Sequence, residues 1–246
     1  MHPRSPEEQE QPVIEIYGRQ VPTELTEIAG PDQTALVVID MQNDLCSPDG
    51  AFAAQGADVS AYAAVTPRIA RLVTAAREAD VLVIFVQATT RKDHATQSLS
   101  QLFFELRMQL SYPDPQQAPF GFCEAGTWGH EVLAELGCRD TDVVIEKHRS
   151  SAFVGTRLDL VLRSQAIKTV VAVGCTTEGC VDSTVRSAGF LDYFPVVARD
   201  CVASDNPALH EAGMLILDAY RAVVVSSDDL ATVWRDARRG AGKEGQ

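Results

Sequence analysis

Apolar residues in this chain gather into short unbroken runs separated by longer stretches of helical period. The runs fall at 34–40, 81–86, 142–147, 170–173, 195–199 and 222–225. They are rich in valine and isoleucine and lack polar alternation, which suits strands buried on both faces. Between them, Ile69, Leu72, Val73 and Ala76 mark a helix over 65–79, and Leu99, Leu102, Phe103, Leu106 and Leu110 predict an amphipathic helix. Val132, Leu133 and Leu136 predict a short one, and further helices are expected over 158–167, 208–220 and 228–238. Strand and helix alternate throughout, so the expected fold is α/β: a three-layer αβα domain around a six-stranded parallel, doubly wound (Rossmann-like) sheet with right-handed crossovers.

This domain should span 34–238. Residues 1–11 are Pro, Glu and Gln with little to bury and are expected to be disordered. Residues 12–33 hold Val13, Ile14, Ile16, Tyr17, Val21, Leu25 and Ile28 without a clear period, an ordered but irregular arm that could pack on a neighbouring subunit. Residues 239–246 should fray. The stretch 89–128 surrounds its helix with Pro113, Pro115, Pro119, Phe120, Phe122 and Trp128. An insertion of that length commonly shapes a substrate site or forms an oligomer contact.

Composition narrows the class. The 246 residues are 46% apolar and 22% charged, ordinary for one globular domain. No apolar run approaches the roughly 20 residues that cross a membrane, and the polar, acidic start is no secretory signal, so a cytoplasmic protein is expected. A net charge of −13 speaks against a nucleic-acid partner but leaves the sign of a local pocket open. The six cysteines form no CxxC pair and no zinc spacing. Neither GxGxxG after the first strand nor a phosphate-binding GxxxxGK[ST] occurs, so nucleotide binding has no support.

The most informative stretch runs from Val170 to Arg186: an apolar strand, a turn Gly174-Cys175-Thr176-Thr177-Glu178-Gly179, then a helical pattern with Cys180 in its first turn. A strand that turns into a helix leaves backbone N–H groups pointing at whatever sits there, and the helix dipole favours a thiolate. Cys180 then reads as a nucleophile beside an anion hole, or, more plainly, as a small buried residue. Asp40 and Lys147 end the first and third runs, as Cys180 follows the fourth. Those strands should lie near the centre of a doubly wound sheet, with their carboxyl ends in one crevice. A carboxylate could take the thiol proton and return it to a leaving amine, while the lysine holds the carboxylate and lowers the thiol pKa. Asp40 could equally be a turn or cap residue.

Three segments together resemble the isochorismatase-like cysteine hydrolases, which include nicotinamidases and the N-carbamoylsarcosine, ureidoacrylate and biuret amidohydrolases. They are Val38-Ile39-Asp40-Met41-Gln42-Asn43-Asp44, then Glu146-Lys147 with Ser151-Ala152-Phe153 and Thr156-Arg157-Leu158, then Gly174 to Val181. The resemblance implies a catalytic triad of Asp40, Lys147 and Cys180, a cis peptide at Cys175–Thr176, and an oxyanion hole from the N–H groups of Thr176 and Cys180. Glu178 and Gly179 depart from the Gly-x-x-Thr-Asp-x-Cys of many relatives. The Asp-x-His pair of the nicotinamidases is missing, and His94, His130, His148 and His210 have no ligand spacing, so neither metal nor cofactor is expected. Ser183 to Arg186 and Gly189 to Phe194 look like the ureidoacrylate and carbamoyl branch. There, Asn43, Gln42, Thr177 and Phe153 become candidate substrate contacts, Asn43 being a turn residue on the alternative reading and Phe153 a pocket wall; Arg186 should brace its helix. The implied activity is hydrolysis of a small linear amide or ureido substrate through a Cys180 thioester in a homo-oligomer, a dimer or tetramer. Its rivals are vinyl-ether hydrolysis of the isochorismatase type and a non-catalytic binding protein on the same fold.

Overall fold

The structure is a computed structural model that describes residues 13–113 and 121–244. The expected disordered tail, Pro115, Pro119, Phe120 and the last two residues lie outside the described residues. The chain opens with β1 (Val13–Ile16) and β2 (Arg19–Pro22), an antiparallel hairpin, where an irregular arm was expected. Its two-residue turn, Tyr17-Gly18, has positive φ at both positions, a geometry that matches the twist of the flanking strands. Four residues per strand are too few for alternation to stand out in sequence.

After a short helical turn α1 (Leu25–Ile28) the domain follows in order: β3 (Thr34–Ile39), α2 (Asn43–Cys46), α3 (Ala51–Ala54), α4 (Ser60–Glu78), β4 (Leu82–Ala88), α5 (Leu99–Gln109), β5 (Val143–Lys147), α6 (Leu158–Ser164), β6 (Thr169–Cys175), α7 (Asp182–Phe190), β7 (Phe194–Ala203), α8 (Pro207–Tyr220), β8 (Val223–Val225) and α9 (Ser227–Glu244). The central sheet has six strands in the order β5-β4-β3-β6-β7-β8, and every neighbouring pair is parallel. The expected helix over 132–136 is instead a bridge between Val132 and Gln42 followed by a 3₁₀ turn, Ala134–Leu136. β7 runs on past Arg199 and Asp200, the polar pair at which the apolar run stops.

Successive strand residues feed two separate cores, as a period of two requires. Leu36, Val38, Phe85, Val171 and Val173 pack with Ile69 and Leu72 of α4 and Trp234 of α9. Ala35, Val37, Ile84, Val170 and Ala172 pack on the other face with Leu158, Val185, Ala188 and Leu217. Each large apolar side chain so buried contributes about 1.5–3 kcal/mol.

Strand order reverses between β3 and β6: β4 and β5 extend the sheet one way, β7 and β8 the other. Such a switch point opens a crevice beyond the carboxyl ends of its two strands. Gly174 lets the strands close there. It has φ +114°, and a Cβ on it would meet the Ile39 carbonyl oxygen at 2.0 Å. Lys147 departs from expectation, because its strand β5 is the sheet edge and β4 separates it from β3.

Candidate active site

Asp40 is the first residue past β3 and sits in the left-handed region at φ 55°. A non-glycine residue held there costs free energy that the surroundings must offset, and such positions cluster at functional sites. The Asp40 N–H donates to Val86 O at 2.9 Å, which fixes the bend. Lys147 reaches in from the edge strand. Its Nζ lies 2.8 Å from Asp40 Oδ2 and donates to Cys180 Sγ at 3.2 Å and to Arg149 O at 3.1 Å. An ammonium has three hydrogens, and each has an acceptor here. The length of the lysine side chain thus spans the intervening strand.

Asp40 and Lys147 are 1% and 3% exposed, and Cys180 is half-buried. Burial opposes the lysine's charge, but the Asp40 carboxylate and the Cys180 sulfur outweigh it and hold the ammonium above its ordinary range. Burial also pushes the Cys180 thiol up, to about 12, with Asp40 adding to the rise and Lys147 opposing it. Desolvation and the carboxylate together thus raise the thiol more than the lysine lowers it. Asp40 Oδ1 is buried and has no hydrogen-bond partner among the described residues. One carboxylate oxygen is thus bound to lysine and the other is free to accept a proton.

The loop that carries Cys180 departs from a regular helix start. The Cys175–Thr176 peptide is cis. Thr177–Val181 then forms a π-helical turn ahead of α7, so Cys180 precedes the helix whose first turn it was expected to occupy. Gly179 and Val181 N–H both donate to Thr176 O, while Thr176 N–H has no acceptor among the described residues. A Cβ at Gly179 would come within 2.5 Å of Thr176 Oγ1, so glycine here answers a packing demand. Glu178 accepts a hydrogen bond from Ser204 at 3.1 Å, which ties the loop to the end of β7.

Asp40, Lys147, Thr176 and Cys180 line the base of a cavity of about 690 Å³. Its outer wall is one face of α5, carrying Gln101, Phe104, Glu105 and Met108 at helical spacing. Leu99, Phe103, Leu106 and Leu110 of the same helix are exposed. None of the four candidate substrate contacts lines the cavity. Gln42 is spent on the fold, its amide bonding Ala88 O and His130 O and accepting from Ala88 N–H. Asn43 donates to Trp128 O at 2.8 Å. Thr177 is fully buried against His210, with Oγ1 2.8 Å from Nδ1. Phe153 stacks on Tyr193 within the core beside α6 and α7. Arg186 pairs with Asp182 one turn back, bracing its helix. Arg149 and Tyr112 line the cavity and carried no sequence signal of their own; two places beyond Lys147 was the nearest hint for Arg149.

The isochorismatase domain matches residues 34–229. The ureidoacrylate amidohydrolase RutB of Acinetobacter baylyi (strain ATCC 33305 / BD413 / ADP1) is 35% identical over 193 residues, 77% of this chain and 79% of that protein. An isochorismatase family protein from Desulfovibrio vulgaris subsp. vulgaris str. Hildenborough is 30% identical with a TM-score of 0.68, covering 82% of this chain and 97% of the other. A cysteine hydrolase from Pseudomonas syringae pv. phaseolicola 1448A superposes with a TM-score of 0.73 over 85% of this chain and 96% of its own; at 23% identity it speaks for the fold alone. With the matched region running from the first core strand into the last helix, the chain belongs to the isochorismatase family.

Proposed function

We propose that this protein is a cofactor-independent cysteine amidohydrolase that cleaves a linear amide or ureido C–N bond, with Asp40, Lys147 and Cys180 as its catalytic residues. The observation that carries the reading is the buried lysine with Asp40 Oδ2 at 2.8 Å and Cys180 Sγ at 3.2 Å, at the base of a cavity. Asp40 Oδ1 takes the thiol proton as the sulfur attacks the substrate carbonyl, so no resting thiolate is required. Thr176 and Cys180 N–H receive the developing oxyanion, and removal of one such donor typically costs about 100- to 1,000-fold in rate. Asp40 returns the proton to the departing nitrogen, ammonia or a small amine leaves, and water activated by Asp40 hydrolyses the thioester. Lys147 holds the carboxylate in place and balances its charge through both steps.

The likeness to RutB supports a ureido acid as substrate. Dimeric or tetrameric assembly belongs to the same reading, since the exposed apolar residues of α5 offer a surface that a second copy would cover. Vinyl-ether hydrolysis has no use for the lysine-bound thiol. The test is ammonia release from a panel of small amides, ureido acids, biuret and nicotinamide, with Cys180→Ala in parallel. Release from a ureido or carbamoyl compound, lost in the variant, is the expected result. Turnover that persists without the thiol would sink the mechanism.

A further inference from the structure

We propose that Arg149 determines specificity by binding a carboxylate on the substrate, so that the cavity selects short anionic amides or ureido acids over their neutral analogues. This rests on the hydrolase reading above. Arg149 lines the cavity, is half-buried, and lies two residues beyond Lys147, whose Nζ its carbonyl accepts at 3.1 Å. Its Nη1 donates to Thr96 O at 3.0 Å and to His148 O at 2.5 Å. Those two bonds consume the Nη1 hydrogens and fix the plane of the guanidinium. Both acceptors are neutral carbonyls, so they orient the charge without cancelling it.

The Nε and Nη2 hydrogens have no acceptor among the described residues. That edge is the fork whose spacing fits the two oxygens of a carboxylate. A half-buried guanidinium pinned on one side and open on its forked side is built to receive a planar anion.

Lys147 is balanced by Asp40, which leaves Arg149 as the uncompensated cation among the described lining residues. Of the other lining carboxylates, Asp205 accepts from Tyr62 Oη at 3.1 Å, Glu178 from Ser204 Oγ at 3.1 Å, Glu105 from Gln101 Nε2 at 3.0 Å and Asp58 from Ser60 N–H at 3.0 Å, while Glu105 Oε2 and Glu178 Oε2 are buried without a partner among the described residues. Arg149 follows β5 and Asp205 follows β7, with β4, β3 and β6 between. At strand spacing, their strands end about 19 Å apart. The cavity thus has a cationic end beside Lys147 and an acidic end beyond β7, with Cys180 between.

The test compares 3-ureidoacrylate with its methyl ester, in binding and in turnover. Binding is read by calorimetry in a Cys180→Ala background, which removes chemistry from the measurement. The acid should bind and the ester should bind at least about 10-fold more weakly. Arg149→Gln should weaken the acid on the order of 100-fold and move the ester less than about 3-fold, while Arg149→Lys should recover part of the loss. Equal loss for acid and ester would make Arg149 a structural residue, and no loss would dismiss it; either result overturns the proposal. Failure of both compounds to bind at millimolar concentration overturns it too. Binding of the acid that depends on Arg149, without ammonia release in the Cys180 protein, would uphold the subsite and overturn the hydrolase reading instead.

Discussion

At the scale of single residues, the site is governed by a balance of charge and burial. Desolvation and Asp40 raise the pKa of Cys180 more than Lys147 lowers it. A neutral amide in place of the Asp40 carboxylate removes one of the raising influences and leaves the lysine alone beside the sulfur. Asp40→Asn should therefore shift the thiolate titration, followed by ultraviolet absorbance, below about 12 and speed iodoacetamide labelling of Cys180 at neutral pH. Turnover should fall by at least about 100-fold in the same variant, because the proposed mechanism gives Asp40 the proton to carry. Slower labelling in that variant would contradict the balance described. Removing the other partner should be felt in the fold: Lys147→Met leaves a buried carboxylate uncompensated, at a cost of about 3–5 kcal/mol, read by denaturant unfolding.

At the scale of elements, the π-helical turn Thr177–Val181 and the helix α5 set the two walls that matter. In the turn, a Cβ on Gly179 would meet the Thr176 hydroxyl at 2.5 Å, so that side chain must move to admit one. Gly179→Ala should displace Thr176 N–H and lower kcat by about 10- to 100-fold, with the unfolding midpoint less affected. A loss confined to stability would remove that role from the loop. Helix α5 shows why a hydrophobic stripe alone is a poor guide to orientation. Leu99 is 87% and Leu110 64% exposed, while Gln101 and Glu105 share the cavity face with Phe104 and Met108. The pattern establishes that a helix forms; which face is buried depends on what lies opposite. If a second copy covers the stripe, Phe103→Glu should lower the sedimenting mass, and an unchanged mass would assign the contact elsewhere.

At the scale of the whole molecule, buried titratable groups make the fold sensitive to alkali. Cys180 and Cys201 are both raised to about 12 by burial, and Lys147 is raised as well. Between an unfolded thiol pKa near 9 and the folded value, the native state binds more protons than the unfolded one. Stability must then fall as pH rises through that window, by about 1.4 kcal/mol per pH unit for each thiol, and the lysine adds to the fall above its unfolded value of about 10.5. Denaturant midpoints should be flat below pH 9 and drop steadily toward 12. A midpoint that holds steady across that range would show that these groups are not buried as described.

The sequence by itself determined the alternation of strands and helices, because fully buried strands leave apolar runs that need no tertiary information to be seen. It also placed Asp40, Lys147 and Cys180 at or just past the ends of their strands, since carboxyl ends are where a parallel sheet exposes polar groups. Beyond that, proximity took over. That Lys147 comes from the edge strand and crosses β4 to reach Asp40 follows from strand order, which no local pattern encodes. Gln42, Asn43, Thr177 and Phe153 stood close in sequence to Asp40, Cys180 or Lys147, yet their side chains were claimed by backbone carbonyls, by His210 and by the core. Arg149 and the inner face of α5 reached the cavity through loops and a helix whose orientation depends on all that surrounds them. A residue's type and its place on a strand are local properties; which charges meet, and which stay unpaired, is a property of the folded whole.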